Sequence, residues 1–162
     1  MSSTIKVDLT KAVKSLAADD VISCLNQCLA NAYALGALAQ NAHWNVEGCT
    51  FLELHEHFGE IYSGAFEAAD DLAERLRQLQ VYVAVDLAMF QQKAGFTQPS
   101  APVDKNVWIS ALLTATEKVI ADLKNLEKLS DNLQMIEVQD LALSQAQVHM
   151  KTAWMLRSLL KE

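Results

Sequence analysis

Prolines are almost missing from this chain, and glycines are few. There are two prolines, Pro99 and Pro102, and five glycines in 162 residues. So few breakers exclude a fold of many short strands and tight turns, and favour long helices. Cysteine is scarce too: Cys24, Cys28 and Cys49 are odd in number and lack framework spacing. A disulfide-stapled secreted domain is therefore excluded, and a reduced, cytoplasmic setting is expected. No stretch reaches eighteen consecutive apolar residues and no N-terminal run resembles a signal peptide, so no membrane partner is expected. Positive charge is short as well, 13 Lys and Arg against 20 Asp and Glu, for a net charge of −7. That balance argues against a surface built to hold nucleic acid or anionic lipid.

What is present is apolar and periodic. Half the residues are hydrophobic, and a chain this long buries roughly 70% of the surface its unfolded form exposes. Residues 1–17 read as an N-terminal tail and 18–162 as one domain. Asp19 and Asp20 stand where acids suit a helix start. From Val21 to Ala42 apolar residues recur at helical spacing. Gly48 punctuates, and Thr50 with Glu53 predicts a capping box opening a second helix over 51–79. A short helix is expected around 83–91, before the loop-like "QQKAGFTQPSAPVDKN". A third helix follows from Trp108, a break is expected at "SDN" (130–132), and a fourth carries Val138 to Leu159. The fold class is all-α: a four-helix bundle with a short extra helix between the second and third long helices.

Three of only four histidines fall between positions 43 and 57. On a wheel of about 100° per residue, Phe51, Leu54, Phe58, Ile61, Ala65, Ala69, Leu72, Leu76 and Leu79 form the core side of the second helix. Glu53, His57, Glu60, Asp71, Arg75 and Gln78 fall on the side expected to face solvent, so His57 reads as a surface histidine. Between them runs a third strip: His55, Gly59, Ser63, Phe66, Asp70 and Glu74. Two carboxylates at i and i+4 with an imidazole on the same strip suit a first-row transition metal. On one helix, however, His55 and Asp70 are about 22 Å apart, far beyond a metal's reach of about 2 Å per bond. Two copies of the helix crossing antiparallel near residue 63 remove the difficulty. The site so derived takes His43 and His55 from one subunit and Asp70 and Glu74 from its mate, twice per dimer. His149 reads as structural or solvated, and Cys24 and Cys28 as core packing.

"CLANAYALGALAQNAHWNVEGCTFLELHEHF" and "DDLAERLRQL" resemble the signature of the Dps proteins, the mini-ferritins named as DNA-binding proteins from starved cells. His43-Trp44-Asn45, Leu54-His55-Glu56 and Asp70-x-x-x-Glu74 stand at that family's spacings, and "HMKTAWML" fits its last helix. The resemblance implies a ferritin-like subunit, a homododecameric shell and protection against oxidative stress. It also implies ferroxidase sites at His43, His55, Asp70 and Glu74, where Fe(II) is oxidised, preferentially by hydrogen peroxide, and stored as ferric mineral. It gives Trp44 the place of a tryptophan that intercepts stray oxidising equivalents; the alternative is an aromatic packed at a helix end. Three departures stand out. Gly59 occupies a position where the family usually has aspartate, which bears on a second metal. "QVYVAV" replaces a double glycine, and the acidic run before the last helix is thinned to Glu137 and Asp140, assigned to a pore.

Other readings are a nucleoid-binding shell, an oxygenase with both metals inside one bundle, and a metal-free structural bundle. The first wants lysine-rich termini, where this chain has Lys6, Lys11 and Lys14 at one end and Lys161 at the other, so weak or no DNA binding is expected. The second wants Glu-x-x-His on two helices, which the chain lacks. The third leaves the mixed strip unexplained.

Overall fold

The structure is a computed structural model, which describes the backbone of residues 9–161 and the side chains of residues 18–161. Among the described residues there are five helices and no strand: α1 (Leu9–Asn45), α2 (Phe51–Gln78), α3 (Leu87–Lys93), α4 (Lys105–Asn132) and α5 (Ile136–Leu159). Four are long and one is short, the arrangement expected. Of the tail expected over 1–17, residues 1–8 lie outside the described part, and the helix already runs from Leu9. Leu9–Ala17 contains helix formers and neither Gly nor Pro, so nothing stops α1 there. Asp19 and Asp20 are exposed within the helix and do not begin it.

Other boundaries show which local signals win. The capping box at Thr50 does not form: its side chain makes no cap bond and its hydroxyl is buried without a partner. The turn is made instead by Gly48, whose φ of 109° places it in the left-handed region that suits glycine, with Phe51 N–H donating to its carbonyl at 3.1 Å. The short helix starts later than expected because Asp86 caps it, accepting from the amides of Ala88 and Met89. The β-branched residues before Asp86 resist helix. The α4–α5 break also falls later than "SDN". Ser130 is buried and donates back to the Leu126 carbonyl, and the turn is taken by Gln134 at φ 57°.

The core runs between α1, α2, α4 and α5, with Leu25, Leu35, Phe58, Leu72, Trp108 and Leu123 fully buried. Truncating one such leucine to alanine costs about 2–5 kcal/mol. The stretch Ala18–Asn45 is long and apolar enough to cross a membrane, but 67% of its most apolar window is buried, as befits the central helix of a bundle. Gly36 lets α2 lie close to α1: a Cβ there would stand 2.8 Å from the Phe66 ring. Phe66 in turn packs edge-on to Tyr33 at 5.2 Å. α3 is strapped to α1 by Gln27 donating to the Lys93 carbonyl and by the Gly95 amide donating to Asn31.

Candidate metal centre

His43 sits in the last turn of α1 and His55 near the start of α2. The corner between them folds the two imidazoles together, stacked at 3.6 Å between ring centroids and 21° between planes. Each ring is fixed by the other's backbone. His43 Nδ1 donates to the His55 carbonyl at 2.6 Å, and His55 Nδ1 donates to the His43 carbonyl at 2.8 Å. A carbonyl only accepts, so both Nδ1 atoms carry a proton, and in the neutral rings the lone pair is on Nε2. Metal-ligating histidines are commonly held this way, one nitrogen on a carbonyl and the other on the metal.

Around this pair the surroundings are aromatic and close. Phe51 tilts against His55 at 4.9 Å, and Tyr62 stands edge-on to His43 at 5.3 Å. Gly59 faces the pair: a Cβ there would lie 3.4 Å from His43 Nδ1 and 3.9 Å from the Tyr62 ring. The wheel assignment of Gly59 to the histidine strip therefore holds. Tyr62 escaped the sequence reading, although its place three residues beyond Gly59, on the same side of α2, is a signal that could have found it.

Asp70 and Glu74 are exposed further along α2, and Asp70 edges a cavity of about 340 Å³ with Tyr33, Phe66 and Phe90. Within one chain they do not join the histidines. Among the described residues no group of three or more His, Cys, Asp or Glu side chains is placed to hold a metal ion. One chain thus brings together His43 and His55, and leaves Asp70 and Glu74 apart from them.

The remaining candidates sort as follows. His57 does point away from His55, but it is not a surface residue. Its side chain is 14% exposed, Nδ1 lies 3.5 Å from the Glu60 carboxylate, and Nε2 is buried without a partner. The cause is α5, whose Trp154, Met155 and Leu159 close a cleft over that flank of α2. Arg75, also expected in solvent, is half-buried. His149 is 5% exposed, and burial alone lowers its pKa to about 4. Cys24 and Cys28 are buried and free, while Cys49 is exposed. Cys28, hydrogen-bonded to Cys24 and desolvated, has its pKa raised far above the usual thiol range; Cys24 is lowered, first by that same bond. Trp44 is 68% exposed, so it is no aromatic packed within this chain. Glu137 and Asp140 are exposed near the start of α5.

A model of the ferritin-like domain matches residues 22–162. An uncharacterized low temperature-induced protein of Nostoc is 32% identical over 143 residues, covering 87% of this chain and 80% of that one. DNA protection during starvation protein 2 of Bacillus anthracis is 26% identical over 142 residues, 88% of this chain and 97% of that protein. Among solved structures, Dps from Thermosynechococcus elongatus matches with a TM-score of 0.88 at 25% identity, over 93% of this chain and 96% of the other. Helix order, bundle and sequence agree: the chain belongs to the ferritin-like proteins and, among them, to the Dps family.

Proposed function

We propose that this protein is an iron-storing and detoxifying mini-ferritin, a ferroxidase that oxidises Fe(II) with hydrogen peroxide at sites shared between two subunits. The observation that carries the reading is the reciprocal bonding of His43 and His55 through Nδ1, which makes Nε2 of each stacked ring the nitrogen left for a metal. Asp70 and Glu74 of a second copy complete the site in this reading. Ser63 is exposed on α2 and Gly59 carries no side chain, so two α2 helices can approach there. Imidazole nitrogens suit the ferrous substrate, and carboxylate oxygens the ferric product. Two Fe(II) ions give one electron each to hydrogen peroxide, which takes up two protons and leaves as two waters. No hydroxyl radical is released. The ferric product collects inside a cytoplasmic shell of twelve subunits.

Anaerobic Fe(II) titration followed by peroxide tests this, with ferric absorbance and native mass read on one sample. Two Fe(III) per peroxide and a mass of twelve chains are expected. A mass of one or two chains, or no ferric absorbance, overturns the proposal. A second reading, a shell whose main role is DNA protection, draws on the names of the relatives from Bacillus anthracis and Halobacterium salinarum. The net charge of −7 weighs against it.

A further inference from the structure

α2 and α5 leave between them a cleft of about 170 Å³, edged by Gly64, Glu67 and Asp71 on one side and by Gln145 and His149 on the other. It lies apart from the His43/His55 pair and plays no part in the function proposed above. Its floor is polar where a bundle core should be apolar. Val138, Ala142, Ala146, Ala153 and Leu156 form the rest of the buried face of α5, yet Gln145 and His149 occupy two successive turns of it.

Neither polar side chain is satisfied. Gln145 is 7% exposed. Its Nε2 donates to the Ala68 carbonyl at 3.1 Å and lies 3.5 Å from Asp71 Oδ2, which fixes the amide orientation. Its Oε1 is left buried with no partner. Leaving such an acceptor unpaired costs about 1–3 kcal/mol, so a buried one calls for an absent partner. His149, one turn further on, is 5% exposed and makes no hydrogen bond among the described residues. Burial keeps its imidazole neutral, which makes it a lone-pair donor at physiological pH.

The mouth of the cleft points the same way. Gly64 lies inside α2, where glycine costs up to about 1 kcal/mol relative to alanine. Packing does not require it, since a Cβ there would meet nothing within 4 Å. Gly64 lines the cleft. Glu67 and Asp71, one turn apart and both exposed, stand at the rim, with Asp71 Oδ2 already 3.5 Å from Gln145 Nε2.

We infer that the α2/α5 cleft is a second cation site. Gln145 Oε1 and the His149 imidazole are its inner donors, a rim carboxylate of Asp71 or Glu67 closes over the ion, and water completes the shell. An imidazole, an amide oxygen and a carboxylate suit first-row divalent ions such as Mn(II), Fe(II), Co(II) or Zn(II). The carboxylates reach the ion by rotating inward, since among the described residues no three His, Cys, Asp or Glu side chains already converge there.

Co(II) is the probe, and the full-length protein carrying His43→Ala and His55→Ala is the starting point, so that the result does not depend on the proposed ferroxidase site. Equilibrium dialysis should find one more Co(II) per chain in this protein than in the same protein with His149→Leu added. Leucine fills the same buried space without a donor. Because that change acts in the core, the exposed pair Glu67→Gln with Asp71→Asn serves as a second variant, and it should weaken the same Co(II) at least tenfold. Equal Co(II) binding with and without His149→Leu overturns the proposal and leaves the cleft to water alone. So does an affinity unmoved by the rim pair.

Discussion

His43 and His55 lock one another: each imidazole donates its Nδ1 proton to the other's backbone carbonyl, at 2.6 and 2.8 Å. The pairing ties the end of α1 to the start of α2 and also sets the tautomer of both rings. Oriented donors need no rearrangement before they bind a cation, and hydrogen bonds from the far ring nitrogen raise ligand basicity. The same two bonds therefore serve the corner of the fold and the chemistry proposed for it.

His43→Ala and Asp70→Asn should each slow peroxide-driven Fe(II) oxidation at low iron loading by at least about tenfold, with the shell still assembled. His57→Ala is the comparison. Its side chain is 14% exposed and lines a cleft with Trp154 and Met155 of α5, so the change should cost on the order of 1 kcal/mol of stability while the oxidation rate stays within about twofold. Stopped-flow ferric absorbance and thermal melts on all three variants separate the two effects. Equal rate loss in all three would show that α2 has been divided wrongly.

That division shows how far the sequence could be read. Helical spacing found the four long helices, because leucine, isoleucine and alanine repeat at 3.6 residues with little glycine or proline to interrupt. It also put Gly59 on the histidine strip, where the structure has it. The wheel gives a direction and no neighbour, however. His57 points away from His55 as expected, but α5 covers that flank, and only tertiary packing decides where α5 lies. The corner sets His43 beside His55, as expected for two donors from one subunit, but the reciprocal hydrogen bonding of the pair was hidden for another reason. Its acceptors are backbone carbonyls, which every residue has, so no side-chain pattern announces them. Local capping misled at Thr50, where the Gly48 turn decides the geometry, and the cap at Asp86, which sets the start of α3, was not read from the sequence. Asp70 and Glu74 share a strip with His55 in sequence and remain apart from it within one chain, and no single-chain pattern could show whether a second copy brings them together.

DNA affinity should be weak and strongly dependent on salt. With 20 acidic against 13 basic side chains, few phosphates can be neutralised, and an affinity resting on few ionic contacts falls steeply with ionic strength. In gel-shift assays at neutral pH any complex should be gone by about 150 mM salt. A complex that persists there would give the DNA-protecting reading the stronger claim.

His149 should make stability depend on pH. Burial lowers its pKa to about 4 from 6.5, so below pH 6.5 the unfolded chain takes up a proton that the folded chain refuses. Stability is therefore full above pH 6.5 and is lost as pH falls toward 4, by roughly 2 kcal/mol at pH 5. Urea midpoints measured at pH 7 and pH 5 in chelator should show that loss, and His149→Leu should remove most of it. An unchanged pH slope in the variant would assign the loss to carboxylates instead.

Gly59→Asp should convert a site with one tightly held iron into a site with two. In the native chain position 59 offers no ligand, although it faces His43 directly, and the only imidazoles in reach are those of His43 and His55. A carboxylate there adds a hard oxygen donor beside them, which favours iron. There is room for its first atom, since the Cβ would sit 3.4 Å from His43 Nδ1, an ordinary contact. The helix gains as well, by a few tenths of a kcal/mol, because aspartate replaces glycine in its interior. Two effects oppose this. The new carboxylate can compete with the His55 carbonyl for the His43 Nδ1 proton, and it adds bulk where two α2 helices are proposed to cross. The first should be small, because the 2.6 Å bond is already short and well placed, while the second would appear as loss of the shell. Anaerobic calorimetry should therefore give one tight Fe(II) per site in the native protein and two in the variant, with native mass unchanged. Two tight irons per site in the native protein would refute the role given to Gly59. A variant that falls to smaller assemblies would show instead that glycine is kept there for the crossing.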